Sequence, residues 1–122
     1  HTMNPPINNT AFGKITIDGN VFNHDVVIDM QGNVSKRKKK LSKEKYGTSH
    51  KISLEEARHI FMNGAHQLII GTGQTGFVEL SDEAARFFEE KNCRVTLLPT
   101  PQAIKKWNQA TEKTIGLFHV TC

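Results

Sequence analysis

The sequence predicts an α/β fold, a layered sandwich in which an N-terminal β-meander is followed by a βαβαβ unit. Short β-branched runs punctuated by glycine turns fill the first third, and helical and strand periods alternate after Ser53. The length of 122 residues suits one core and hardly two. With 37% hydrophobic and 23% charged residues, the composition supports a packed interior and not a disordered chain.

Residues 14–18 (KITID) alternate polar and apolar side chains, Gly19 and Asn20 read as a turn pair, and Val26, Val27 and Ile28 form a β-branched run ending at Gln31-Gly32-Asn33. Residues 35–50 have almost no apolar period and read as a solvated loop or edge extension closed by Gly47. Ser53 with Glu56 three residues on makes a capping box, and Leu54, Ala57, Ile60 and Phe61 mark one helical face before Gly64 stops it. Residues 67–70 (QLII) are a strand. Ser81 caps a second helix that buries Ala84, Phe87 and Phe88, and residues 94–98 (RVTLL) are the next strand. Thr100 suits the N-cap and Pro101 the first position of a third helix, with Ala103, Ile104 and Trp107 facing inward. Residues 114–120 (TIGLFHV) make the closing strand. The first two strands of this half should be parallel through a right-handed crossover. The domain is placed at residues 10–122, and residues 1–9 are read as a tag remnant (His1 and Thr2, ahead of Met3) and a tail.

Composition narrows the function classes. No run of about 18 apolar residues and no signal-peptide pattern occurs, so a cytoplasmic protein without a membrane span is expected. Two cysteines, Cys93 and Cys122, are too few for a disulfide scaffold or a four-cysteine zinc site. The net charge of +4 is local: residues 36–45 hold seven basic residues against Glu44, a net +6, which leaves the rest of the chain at −2. This basic segment offers sequence-blind attraction to phosphates, but only Tyr46 lies near it to stack a base, so nucleic-acid binding is a weak alternative.

Several constellations carry possible chemistry. Residues 71–76 (GTGQTG) match the glycine spacing of a dinucleotide site and follow a strand. However, residues 77–80 intervene before the next helix cap, and the following strand ends in Leu97-Leu98-Pro99 with no acidic residue for a ribose. No cofactor is therefore expected, and the glycines read as a turn or as close packing, or as backbone that contacts a small anion. If the two strands are parallel, the Gly71 and Thr100 loops leave the same sheet edge, the usual place for ligands in α/β folds. Tyr46, Thr48, Ser49 and His50 gather hydrogen-bonding groups beside Lys43 and Lys45. They suit a ligand, or acid/base chemistry at His50 with a lysine holding an anion, or a loop satisfying its own backbone. His119 and Cys122 are set aside as a nucleophile pair, because residues three apart in a strand face opposite sides. His24, His59 and His66 lack ligand spacing, so no metal site is expected.

Four motifs, YGTSH at 46–50, IIGTG at 69–73, LPTPQAIKKWN at 98–108 and HVTC at 119–122, occur in an order and spacing that resemble the Mth938-like domain (DUF498) family. The resemblance runs from about Thr10 to Cys122. It implies a mixed central sheet in a layered α/β arrangement with an extra β layer, and a last strand antiparallel to the others. Relatives include a mitochondrial complex I assembly factor and an adipogenesis-associated protein, so the resemblance favours a binding or assembly role. The basic segment is similar to that of prokaryotic members, and a complex I role is not carried over. The function expected from all this is recognition of a partner protein or a small anionic ligand at the loop edge of the sheet. Its expected site residues are Tyr46, Thr48, Ser49, His50, Gly71, Thr72, Gly73 and Thr100.

Overall fold

The computed structural model describes residues 4–110 and 113–121. His1, Thr2, Met3 and Cys122, named above, lie outside the described residues. Three antiparallel strands, β1 (Ile7–Ala11), β2 (Lys14–Ile17) and β3 (Asn20–Phe22), form a small sheet. Asp18 at φ 48° and Gly19 at φ 82° make the two-residue turn between β2 and β3, so the turn pair is Asp18-Gly19 and Asn20 already belongs to a strand. The meander thus starts at Ile7, whose side chain is buried, three residues before the expected boundary.

The next strands leave that sheet. β4 (Val26–Ile28) and β5 (Val34–Lys36) are an antiparallel pair joined by a turn in which Asp29 Oδ1 accepts from the Gln31 and Asn33 amides. They belong to a five-stranded sheet with β7 (Gln67–Thr72), β9 (Arg94–Leu98) and β10 (Thr114–His119), in the order β5-β4-β10-β7-β9. The lysine-rich stretch is not a loop. After β5 it enters helix α1 (Lys40–Tyr46), which ends at Gly47 in the left-handed conformation, φ 73°. A short parallel pair, β6 (Lys51–Ile52) with β8 (Glu79–Leu80), also escaped the periodicity reading, because two residues define no period.

The remaining helices are α2 (Leu54–Ile60), α3 (Asp82–Glu90) and α4 (Thr100–Gln109). Ser53 and Ser81 cap α2 and α3 by accepting from the Glu56 and Ala84 amides, both at 3.1 Å. The chain runs outward from β7 through α3 to β9, then back past β7 through α4 to β10. Crossovers of one hand and opposite sense place the two helices on opposite faces. Leu68, Ile70, Ile115 and Leu117 accordingly meet α2 and α3 on one face. Ile69 and Phe118 meet α4 and the three-stranded sheet on the other. β7 and β10 are buried on both sides, which is why their sequences read as continuous apolar runs.

Two expectations are corrected. β10 is parallel to β7 and antiparallel only to β4, because α4 carries the chain back to the end of the sheet where β7 also starts. Thr100 is the first residue of α4 and Pro99 takes the cap position. The Thr100 hydroxyl is engaged elsewhere and caps nothing.

Gly116 lies where β10 passes under Trp107. A Cβ there would stand 2.7 Å from Phe118 Cε2 and 2.9 Å from Trp107 Cζ3, and both rings are fully buried. Gly116→Ala should therefore cost about 1–3 kcal/mol, the range for overpacking a filled core. Urea unfolding would record it as a lower midpoint at unchanged slope; a midpoint equal to the parent's would contradict this packing.

Candidate functional site

Strand register sets one row of residues along the carboxyl edge of the sheet. Lys36, Val26, Phe118, Gly71 and Leu98 are paired side by side, so the next step along each strand brings Arg37, Asp25, His119 and Thr72 together. β4 runs against its neighbours and contributes the residue before its start, Asp25.

Arg37, one of the seven basic residues of the charged run, is buried. Its guanidinium grips Glu56 through two bonds, Nε to Oε2 at 2.6 Å and Nη2 to Oε1 at 3.1 Å. It also donates to Asp25 Oδ2 at 2.9 Å and to the Ser49 carbonyl at 2.7 Å. Ser42 of α1 donates to Glu56 and accepts from the Ser53 amide. Glu56 therefore does not complete the expected capping box, since its carboxylate serves Arg37. Asp25 Oδ1 accepts from the Val120 amide at 2.9 Å, and Asp25 Oδ2 stands 2.7 Å from His119 Nδ1. Burial alone would raise the Asp25 pKa, but the bonds from His119 and Val120 and the Arg37 charge outweigh it and hold the carboxyl at about 2. Burial likewise opposes the Arg37 charge, and Glu56 and Asp25 more than offset it.

The expected site residues fall into two groups. Gly73 and Thr100 join the two loops, as the shared-edge argument requires. The Thr100 amide donates to the Gly73 carbonyl at 2.9 Å, and Thr100 Oγ1 accepts from the Gly73 amide at 3.0 Å while donating to the His119 carbonyl at 2.7 Å. Thr100 is thus a buried brace. Gly71 lies inside β7 and not in a loop; a Cβ there would stand 2.8 Å from Phe118 and 2.9 Å from Thr100 Oγ1, so its role is close packing. Thr72 is buried, and its carbonyl accepts from the Val78 amide.

The second group is the segment Tyr46 to His50. Arg37 fastens it to the sheet edge through the Ser49 carbonyl, and Thr48 Oγ1 accepts from the His50 amide at 3.1 Å. Tyr46 sits beneath the Lys51 ammonium, 5.0 Å from its ring centre. The half-buried His50 ring meets His119 edge-on, with centres 5.4 Å apart, and Phe77 at 6.4 Å. Lys45 faces a groove with Leu41, Glu44 and Glu55; the lysine brought to the buried cluster is Lys39, whose Nζ is 3.7 Å from Asp25 Oδ2.

Asp25, Arg37, Glu56, His119 and Thr121 were not among the expected site residues. Arginine among lysines was the one available signal for Arg37, since a fork of donors suits buried carboxylates better than an ammonium does. Glu56 was hidden by its fit to a cap, and Asp25 by standing next to a turn-like segment. Among the described residues, no three His, Cys, Asp or Glu side chains are grouped as metal ligands, and no helix is long and apolar enough to cross a membrane.

These features define a small layered α/β protein whose parallel core ends in a buried charge network overlaid by a polar loop. The chain belongs to the DUF498 family: the family model described as a protein of unknown function (DUF498/DUF598) matches residues 7–116. The crystal structure of a conserved hypothetical protein from Pyrococcus horikoshii OT3 is similar at 35% identity, over 95% of this chain and 98% of that one, with a TM-score of 0.86. A solved structure named MT938 is 31% identical over 97% of this chain and 99% of that one, with a TM-score of 0.81. A Mth938-like domain from Bordetella pertussis shares the fold at 14% identity and a TM-score of 0.68, over 95% and 85% of the two chains.

The charge network has a pH signature. A carboxyl lowered from 3.8 to about 2 stabilises the fold fully above the unfolded value. That stability is lost as pH falls from about 4 to about 2, amounting to about 2 kcal/mol. Urea unfolding of the parent across this window should show the loss, and Asp25→Asn should flatten the slope there while lowering stability at neutral pH. An unchanged slope in the variant would contradict the assignment.

Proposed function

We propose that this protein is a binding module whose site is the carboxyl edge of the central sheet, where it takes a small anionic ligand. The observation that carries the reading is the convergence of the Tyr46 to His50 segment with the Gly73 loop at the ends of three parallel strands. Such edges are where α/β sheets usually hold ligands. Two groups of suitable chemistry flank the Asp25–His119 pair there: the Lys39 ammonium, with its side chain 37% exposed, and the half-buried His50 imidazole. The Arg37 guanidinium and the Lys39 ammonium together balance the two carboxylates of Asp25 and Glu56, so the cluster presents no net negative charge to an incoming anion.

A second reading, a partner protein, is favoured by one observation. Phe77 is 60% exposed beside His50, and Phe12, 71% exposed, occupies the β1–β2 turn, which the Gly13 amide ties to the Val120 carbonyl at the same edge. Two bare aromatic rings on one rim suit a protein contact.

Amide NMR titration with inorganic phosphate and with pyrophosphate separates the readings. Anion binding predicts saturable shifts at His50, Lys39 and Gly73, weakened about tenfold in Lys39→Ala or His50→Ala, the loss of one charge-assisted bond. Shifts confined to the exposed lysines of α1, or none at the edge, would end the anion reading.

A further inference from the structure

Residues two apart in an extended chain face the same side, which puts Thr121 on the side of His119. Thr121 Oγ1 lies 3.1 Å from His119 Nε2, while the other ring nitrogen, Nδ1, lies 2.7 Å from Asp25 Oδ2. Asp25 is an acceptor only, so Nδ1 carries the hydrogen; in the neutral imidazole Nε2 is then the acceptor and receives the Thr121 hydroxyl proton. The three side chains stand in the order carboxylate, imidazole, hydroxyl, the arrangement that activates an alcohol as a nucleophile.

The supports of this line are rigid. The Arg37 guanidinium and the Val120 amide fix both oxygens of Asp25, and the His50 ring packs T-shaped with His119, which is 1% exposed. The Gln74 amide donates to the Thr121 carbonyl at 2.7 Å, which fastens the backbone of the hydroxyl-bearing residue to the glycine loop. Thr121 itself is only half-buried, so its hydroxyl is the member of the line nearest solvent.

We propose that Asp25, His119 and Thr121 form an acyl-transfer centre acting on short-chain carboxylic esters. Thr121 Oγ bonds to the acyl carbon while its proton passes to His119 Nε2. The ester C–O bond then breaks, and the leaving alcohol takes that proton. A water molecule, deprotonated by Nε2, attacks the acyl-threonine and releases the carboxylic acid, and the proton returns to Thr121. Thr121 is the nucleophile, His119 the base, and Asp25 a positioning residue. This inference goes beyond the anion reading and does not depend on it.

The test uses the full chain carrying Cys122→Ser, so that no terminal thiol competes, with p-nitrophenyl acetate as probe. The expected result is release of p-nitrophenolate with acetylation mapped to Thr121 by peptide mass spectrometry. Thr121→Ser should retain both, and Thr121→Val and Thr121→Ala, checked for native circular dichroism, should each lose at least a hundredfold in rate. That loss is the low end of what a positioned base contributes, about 10²–10⁴. Acetylation confined to lysines, or equal rates in the parent and both hydroxyl-free variants, would overturn the proposal.

Discussion

A single buried guanidinium ties the layers of this molecule together at the carboxyl edge of the central sheet. Arg37 follows the edge strand β5, yet it reaches α2 through Glu56, the start of β4 through Asp25, and the polar loop through Ser49. Burying one such charge without partners is prohibitive, and leaving either carboxylate unpaired would cost several kcal/mol. The cluster therefore forms as a unit. Because each member comes from a different element, the unit fixes where those elements stand, and no buried side-chain nitrogen or oxygen among the described residues lacks a partner. This use of buried charge gives specificity of arrangement more than net stability.

Sheet direction explains why the cluster sits at the carboxyl edge. Parallel strands β10, β7 and β9 all end there, and the antiparallel β4 begins there, so Asp25 and His119 are neighbours although 94 residues separate them. Thr100 closes the rest of that edge by bridging Gly73 and His119. The expected rim is present, but its floor is occupied by structural hydrogen bonds, which leaves His50, Lys39, Phe77 and Thr121 as the groups toward solvent.

Much of the fold was legible because its signals are local. Ser53 and Ser81 caps, the apolar runs of β7 and β10 and the inward face of α4 follow from period and propensity alone. Of the candidate site only the meeting of its loops was legible. The YGTSH and GTG segments do meet the same edge, but the charge cluster depends on pairings across 12 to 95 residues, which no local period encodes. Arg37 illustrates the limit: as one letter in a basic run it predicts solvation, and only the pairing of β5 with β4 turns it inward.

The small N-terminal sheet is clasped to α4 by backbone and side chain. Asn108 exchanges two hydrogen bonds with the Ile7 main chain, and Trp107 Nε1 donates to the Pro5 carbonyl. Strand β4 likewise has β10 as its inner neighbour. The N-terminal strands therefore complete their packing only with a helix and a strand that lie about 100 residues further along the chain. Such distant closure makes assembly slow, and the waiting strands stay open to wrong pairings in the interval.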